Sequence, residues 1–271
     1  MKPEVSVIIT WCNRPELALT LEKNREILNR HNAELIIVNC AGSDTAFAEV
    51  LAGSKPERIQ RVRVATQIFN KSLAINLGVS VCRSDRLFFL DTDVILKEDF
   101  LADAFAALDA QRFFTVERVF DSSPEPLPAT DHLDELSYSV SFVARNGRQA
   151  TTAVVRRFNE GSRNAPGLVL LNRAHFLQVG GMNADLQGYG WEDRDLLFRL
   201  QLALGLEELS AGAVIHLSHD DESRHESWRN SAKSEQENFA ACVTNYRAGH
   251  YYGTYHDDLL VWKDKFTVSE S

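Results

Sequence analysis

An apolar run, Leu87-Phe88-Phe89-Leu90, ends in Asp91-Thr92-Asp93. A short continuous run of this kind reads as a strand buried on both faces. The carboxyl ends of such strands open onto the crevice where α/β proteins bind ligands. Alternation at period two sends Asp91 and Asp93 to one side and Thr92 away from it. Two hard oxygen donors at a strand end suit Mg or Mn, whose other ligands are commonly substrate phosphates. An isolated Asp-x-Asp is also met as a solvated acidic turn.

Two further stretches carry chemistry. Gly188-Tyr189-Gly190-Trp191-Glu192-Asp193-Arg194-Asp195 places a large aromatic and several carboxylates at a predicted helix start behind flexible glycines. Acids in a first turn suit the helix dipole. A flat ring beside carboxylates also suits a sugar: the ring covers the C–H face, the acids bind hydroxyls, and one acid can accept a hydroxyl proton. Ile215-His216-Leu217-Ser218-His219 brings two imidazoles to the end of an apolar strand, where either can be a metal ligand through a neutral ring nitrogen.

The elements that position these residues alternate. Apolar strands are expected at residues 5–9, 35–38, 62–65 and 87–90, with helices after Pro15, around Phe47, after the cap Asn70, and over 98–108. Strand and helix in strict succession imply a parallel sheet with crossover helices. Later, strands are expected at 113–119, 168–171 and 213–215. Helices are expected before Gly180-Gly181, from Trp191, and over 231–247. The Pro-rich stretch 122–128 reads as a stiff loop, 131–144 as helical, and 145–164 as a mobile surface loop. The tail is left unassigned.

Composition narrows the function classes. With 271 residues, 44% hydrophobic and 25% charged, the chain can form one large α/β domain or two small ones. A formal net charge of −9 argues against nonspecific nucleic-acid binding. Cys12, Cys40, Cys82 and Cys242 lack metal-ligand spacing and read as thiols of a reducing compartment. No apolar stretch reaches the length of a membrane span. With no apolar leader, the expected location is cytoplasmic.

The ordered set of motifs resembles nucleotide-sugar glycosyltransferases of the GT-A fold. It comprises residues 5–9 with Asn13-Arg14-Pro15, then Asp91-Thr92-Asp93, then Gly190-Trp191-Glu192-Asp193. More narrowly, Gly180-Gly181-Met182-Asn183 followed by Gly188 to Leu196 is similar to the galactosyltransferase-type segment. β-1,4-galactosyltransferases, polypeptide N-acetylgalactosaminyltransferases and bacterial chondroitin-polymerase-like enzymes share it. The resemblance implies one α/β domain over 1–271, with a Rossmann-like, mostly parallel sheet. Residues 1–120 would be the nucleotide half, 121–225 the acceptor and catalytic half, and 226–271 a helical extension.

It also implies roles. Asp93 would bind Mn or Mg, with His216 as a second ligand, His219 its alternative, and Asp91 supporting the metal or facing the ribose. Asp193 would be the base of an inverting enzyme. Trp191, Glu192 and Tyr189 would hold donor sugar and acceptor. Thr10, Asn13, Arg14, Lys71, Asn76 and Thr92 would contact the nucleotide sugar. Asn39 stands where many relatives place an Asp that reads uracil; an amide both donates and accepts. The implied partners are a donor, most simply a UDP-sugar, and a hydroxyl acceptor, with segments 145–164 and 221–230 closing over the site. Competing classes are a nucleotidyltransferase, which would want a Gly-rich basic phosphate loop where Trp11-Cys12-Asn13-Arg14 stands, and a non-catalytic nucleotide-sugar binding module.

Overall fold

A computed structural model describes residues 2–54, 59–97, 100–123, 132–219 and 231–270. Four parallel strands make its N-terminal half: β1 (Ser6–Trp11), β2 (Glu34–Cys40), β3 (Ile59–Val64) and β4 (Arg86–Phe89), in the order β3-β2-β1-β4. Register runs from Ser6↔Glu34 to Trp11↔Asn39, and Ser6↔Leu87 starts the pairing of β1 with β4. The crossovers are α1 (Glu16–Arg30), α2 (Asp44–Ser54) and α3 (Lys71–Ser80). Asn70 caps α3 as expected, its Oδ1 accepting from the Leu73 N–H at 2.9 Å.

The later elements are β5 (Val94–Leu96), α4 (Phe100–Ala107), β6 (Arg112–Asp121), β7 (Glu135–Val143), β8 (Gln149–Arg157), β9 (Ser162–Asn172), α5 (Arg173–Gln178), α6 (Glu192–Leu204), β10 (Glu207–His216), α7 (Ser231–Arg247), α8 (Tyr255–Trp262) and β11 (Phe266–Glu270). All eleven strands join one sheet, ordered β11-β3-β2-β1-β4-β9-β6-β10-β5, with a β7–β8 ribbon hung on β9. Pairing is parallel through β3-β2-β1-β4 and between β6 and β10, and antiparallel elsewhere. The sheet is therefore mixed, its parallel part confined to those strands.

Both faces are covered. Alternation along β4 sends Phe88 and Leu90 into the layer under α1, α2 and α4, and Leu87 and Phe89 into the layer under α3, α5, α6 and α8. Each such side chain, fully buried, contributes about 1.5–3 kcal/mol. A third cluster joins Phe198 of α6 to Cys242 and Tyr246 of α7.

Three expectations are corrected. Residues 131–144 are not helical, since β7 occupies 135–143; Leu136, Tyr138, Val140 and Phe142 alternate with serines, the period of a strand. The stretch 145–164 is a turn, β8 and the start of β9, with ladder partners on both sides rather than a mobile loop. The C-terminal stretch is not wholly helical: β11 covers the edge of β3, from Phe266↔Val64 to Glu270↔Gln60. Residues 124–131 and 221–230 lie outside the described residues, so the Pro-rich loop is described only to Ser123 and the second closing segment not at all.

Candidate active site

The strand ends at Phe89, and residues 92 and 93 form a turn. Alternation therefore does not continue through Asp91 and Asp93, and the two carboxylates part company. Asp93 turns toward the end of β10, where its carbonyl accepts from the Leu217 N–H at 2.7 Å. Its Oδ2 lies 3.6 Å from His216 Nε2 and 3.3 Å from His219 Nε2. From behind, α1 holds the turn through two buried polar side chains. Thr20 Oγ1 donates to Thr92 O, and Asn24 bridges Val94 O and Leu96 N.

Asp93, His216 and His219 bring one carboxylate oxygen and two ring nitrogens within 4.8 Å of one another. A mixed oxygen and imidazole set at that spacing fits a divalent ion with open positions, Mn among them. Asp91, expected either to support the metal or to face the ribose, is not in this group. His216 Nδ1 lies 2.8 Å from Asp121 Oδ1, so a second carboxylate orients the ring and presents Nε2 to Asp93. Arg14 Nη2 also reaches Asp93 Oδ2 at 3.0 Å, while its Nε pairs with Glu16. Burial disfavours the Asp93 charge, but His216, Arg14 and His219 outweigh it and hold the carboxyl below its usual range.

Asp91 faces the other way. Lys71, at the start of α3, puts Nζ 3.3 Å from Asp91 Oδ1 and 3.1 Å from Asp193 Oδ2. One ammonium thus joins the Asp-x-Asp turn to the first turn of α6, more than a hundred residues later. Burial opposes its charge, yet Asp193, Asp91 and Glu192 together raise its pKa above the ordinary lysine value. Glu192 sits in the same group of acids. Burial, then the neighbouring Asp193 carboxylate, push it up to about 7. Its Oε2 is buried and has no hydrogen-bond partner among the described residues. Gly167 of β9 lies against Asp193: a Cβ there would stand 3.0 Å from Asp193 Cγ and 3.1 Å from Lys71 Nζ.

Residues 6–229 match the model of glycosyltransferase-like family 2. The chain belongs to that family. No curated protein matches it in sequence. Among solved structures, the family 2 chain is similar to the mannosyltransferase PcManGT from Pyrobaculum calidifontis, in complex with GDP-Man and Mn2+. Identity is 18%, the TM-score is 0.55, and the match covers 90% of this chain and 65% of that one. S. aureus TarS 1–349 is similar at 14% identity, TM-score 0.50, over 85% and 65% of the two chains; a further TarS structure holds UDP. These likenesses show the GT-A fold. The family 2 chain spans 65% of the length of the PcManGT chain and of the TarS 1–349 chain. Among its described residues no helix is long and apolar enough to cross a membrane.

The remaining expected site residues of the family 2 domain separate into two groups. Near the carboxyl ends of β2 and β3 lies a cavity of about 360 Å³ lined by Ala41, Gly42, Ser43, Arg63 and residues 64–67. Thr10 and Asn13 lie at the adjoining end of β1, and Asn13 Oδ1 accepts from the Ser43 N–H at 2.7 Å. Asn39 is 1% exposed and engages Gly42 N and Asp44, so its amide shapes this loop instead of lining the cavity. Asn76 is fully buried. Its amide bonds Met182 O, Met182 N and Asp258 Oδ2, so it anchors α3 and presents nothing to a ligand.

Trp191 starts α6 at φ 72°, a left-handed conformation strained for so large a residue. Its ring stacks on Phe198 at 6.0 Å and meets Phe239 at 4.6 Å, packing contacts that fix the loop. Asn238 donates to Gln187 O and Gly190 O, and Ser234 Oγ bonds both backbone groups of Tyr189. Thus α7 clamps the glycine-flanked approach to Asp193. Gly167, Asp121 and Arg63 escaped the sequence reading. Their signals are positional: a glycine inside an apolar strand, an acid opposite His216, and a base at the end of a strand.

Proposed function

We propose that this chain is an inverting, metal-dependent glycosyltransferase. It would move a sugar of the Gal, GalNAc or GlcNAc type from a UDP-sugar to an acceptor hydroxyl, as a member of the galactosyltransferase-type subgroup. The observation that carries this reading is Lys71, whose ammonium touches Asp91 and Asp193 together. It draws the phosphate-side motif and the acid-rich helix start into one crevice, beside the Asp93, His216 and His219 cluster. That PcManGT holds GDP-Man and Mn2+, and TarS holds UDP, supports a nucleotide-sugar donor and a divalent ion.

Asp93, His216 and His219 would hold the ion. When bound, it neutralises negative charge developing on the departing nucleoside diphosphate. The chain's own groups do the rest. Lys71 Nζ holds Asp193 Oδ2 in place at 3.1 Å, and Asp193 removes the acceptor hydroxyl proton as that oxygen attacks the anomeric carbon from the face opposite the diphosphate. One displacement inverts the configuration. Glu192, with an unpaired Oε2, holds a sugar hydroxyl in the same pocket. Thr10, Asn13 and the Arg63 cavity receive the nucleoside.

The test is Mn-dependent release of UDP from a panel of UDP-sugars. Asp193→Asn is expected to abolish turnover while donor and Mn still raise the melting temperature. Pyrophosphate release from a nucleoside triphosphate would favour a nucleotidyltransferase. Stabilisation by donor without turnover across acceptors would favour a binding module.

A further inference from the structure

Strand β7 is nine residues long, and among the described residues it pairs only with β8. The ladder direction is set at the turn, where the Ala144 N–H donates to Arg148 O at 2.8 Å. Register then runs from Val143↔Gln149 to Glu135↔Arg157, so even-numbered peptide groups of β7 face β8. On β8, the odd-numbered groups point the opposite way. Thr151 bonds Gln201, while Ala153 and Val155 bond Asn164. By the same alternation, the peptide groups of 135, 137, 139, 141 and 143 point out from the free edge of β7.

Among the described residues, that edge carries none of the usual guards. It has no proline, no lysine and no bulge, and its one charged residue, Glu135, pairs inward with Arg157 at 3.4 Å. Leu136 and Tyr138 are 49% and 55% exposed. They share a face with Phe142, whose ring is already seated on Phe198 and Tyr246.

We infer that β7 is a homodimer edge, its partner the β7 strand of a second copy, paired antiparallel about a two-fold axis at Ser139. The pattern of the strand selects that partner and register. With Ser139 opposite Ser139, outward peptide groups meet outward peptide groups. Leu136 falls opposite Phe142, Tyr138 opposite Val140, and Ser137 opposite Ser141. Glu135 falls opposite Val143, so no like charges face each other. An isologous contact requires self-complementarity of this kind, and cross-strand apolar pairs stabilise it. A shift of one residue would set outward peptide groups against inward ones.

Sedimentation of the whole chain over about a hundredfold range of concentration reads the association directly. Wild type is expected to pass from monomer to dimer. Ser139→Pro removes only an outward N–H and is expected to hold the protein monomeric with the β8 ladder intact. Tyr138→Lys, which spares the backbone, is expected to do the same. Position is read by crosslinking: opposed Ser139 Cα atoms would lie about 5.5 Å apart, within disulfide reach. Copies of Val143 would lie on the order of 25 Å apart. Under mild oxidant, Ser139→Cys is expected to give a covalent dimer well above the wild-type background, and Val143→Cys is not. A monomer at every concentration overturns the inference, as does a dimer indifferent to both substitutions, or equal crosslinking at 139 and 143.

Discussion

Replacing Gly167 by alanine tests the site at its tightest point. The added methyl would press first on Asp193 Oδ2, with Asp193 Cγ at 3.0 Å and Lys71 Nζ at 3.1 Å. Carbon atoms in good contact keep about 3.5–4.0 Å, so the carboxylate must withdraw by roughly 0.5–1 Å. β9 cannot yield, because it is laddered to β4 and β6. Asp193 is half-buried in the first turn of α6, and its Lys71 contact must stretch with it. A misplacement near 1 Å at a reacting group costs about a hundredfold in rate, or about 2.7 kcal/mol of barrier. Gly167→Ala is therefore expected to lower kcat for Mn-dependent UDP release by roughly two orders of magnitude. The melting temperature, and its rise with UDP and Mn, should stay near wild type, because the cavity at β2 and β3 is untouched. Turnover within about threefold of wild type would refute the placement of Asp193 as the base. A loss fully accounted for by weaker donor binding would refute it equally.

Other outcomes follow from the same geometry. Mn at about a hundred times its Kd is expected to stabilise the chain by about 2.7 kcal/mol, and Asp93→Asn to abolish that gain, read by calorimetry. The Mn effect should fade as pH falls, since His216, held above its ordinary 6.5 chiefly by the neighbouring Asp93 carboxylate, then takes a proton in place of the ion. Asp195→Ala strips the buried Arg199 of its carboxylate partner at 2.8 Å. A cost of about 3–5 kcal/mol is expected, and a melting temperature lower by roughly 10 °C checks it. For Glu192 the folded pKa of about 7 lies above its ordinary 4.5, so the native state binds more protons between those values. Stability should fall as pH rises through that window, and Glu192→Gln should flatten the slope in urea titrations at stepped pH.

The alternating first half was legible because its signals are local: β-branched runs for β1 and β2, and a capping asparagine for α3. Asp93, His216 and Asp193 could be nominated because their chemistry sits beside apolar strand ends or a helix start. What the chain hides is long-range. Whether Asp91 faced a metal or a lysine depended on a turn that period-two counting does not foresee. Asn39 and Asn76 looked like ligand contacts, yet each amide is consumed by backbone brought in from elsewhere. The serines of β7 are the polar half of a period-two alternation that the helical expectation passed over, while β8 and β11 become strands because of the neighbours they find. The position of Gly167 marks it, but not its partner, since its importance is the space it leaves for a residue 26 positions away.

The Asn76 amide has a kinetic meaning as well. It fastens together chain segments 106 and 182 positions away, at Met182 and Asp258. Contacts so distant are made late, after a large closure entropy has been met. Helix α3, and with it Lys71, reaches its final seat only when the last third of the polypeptide has docked. Assembly of the crevice should therefore track the slowest refolding phase, with regain of ligand binding lagging behind regain of helical signal.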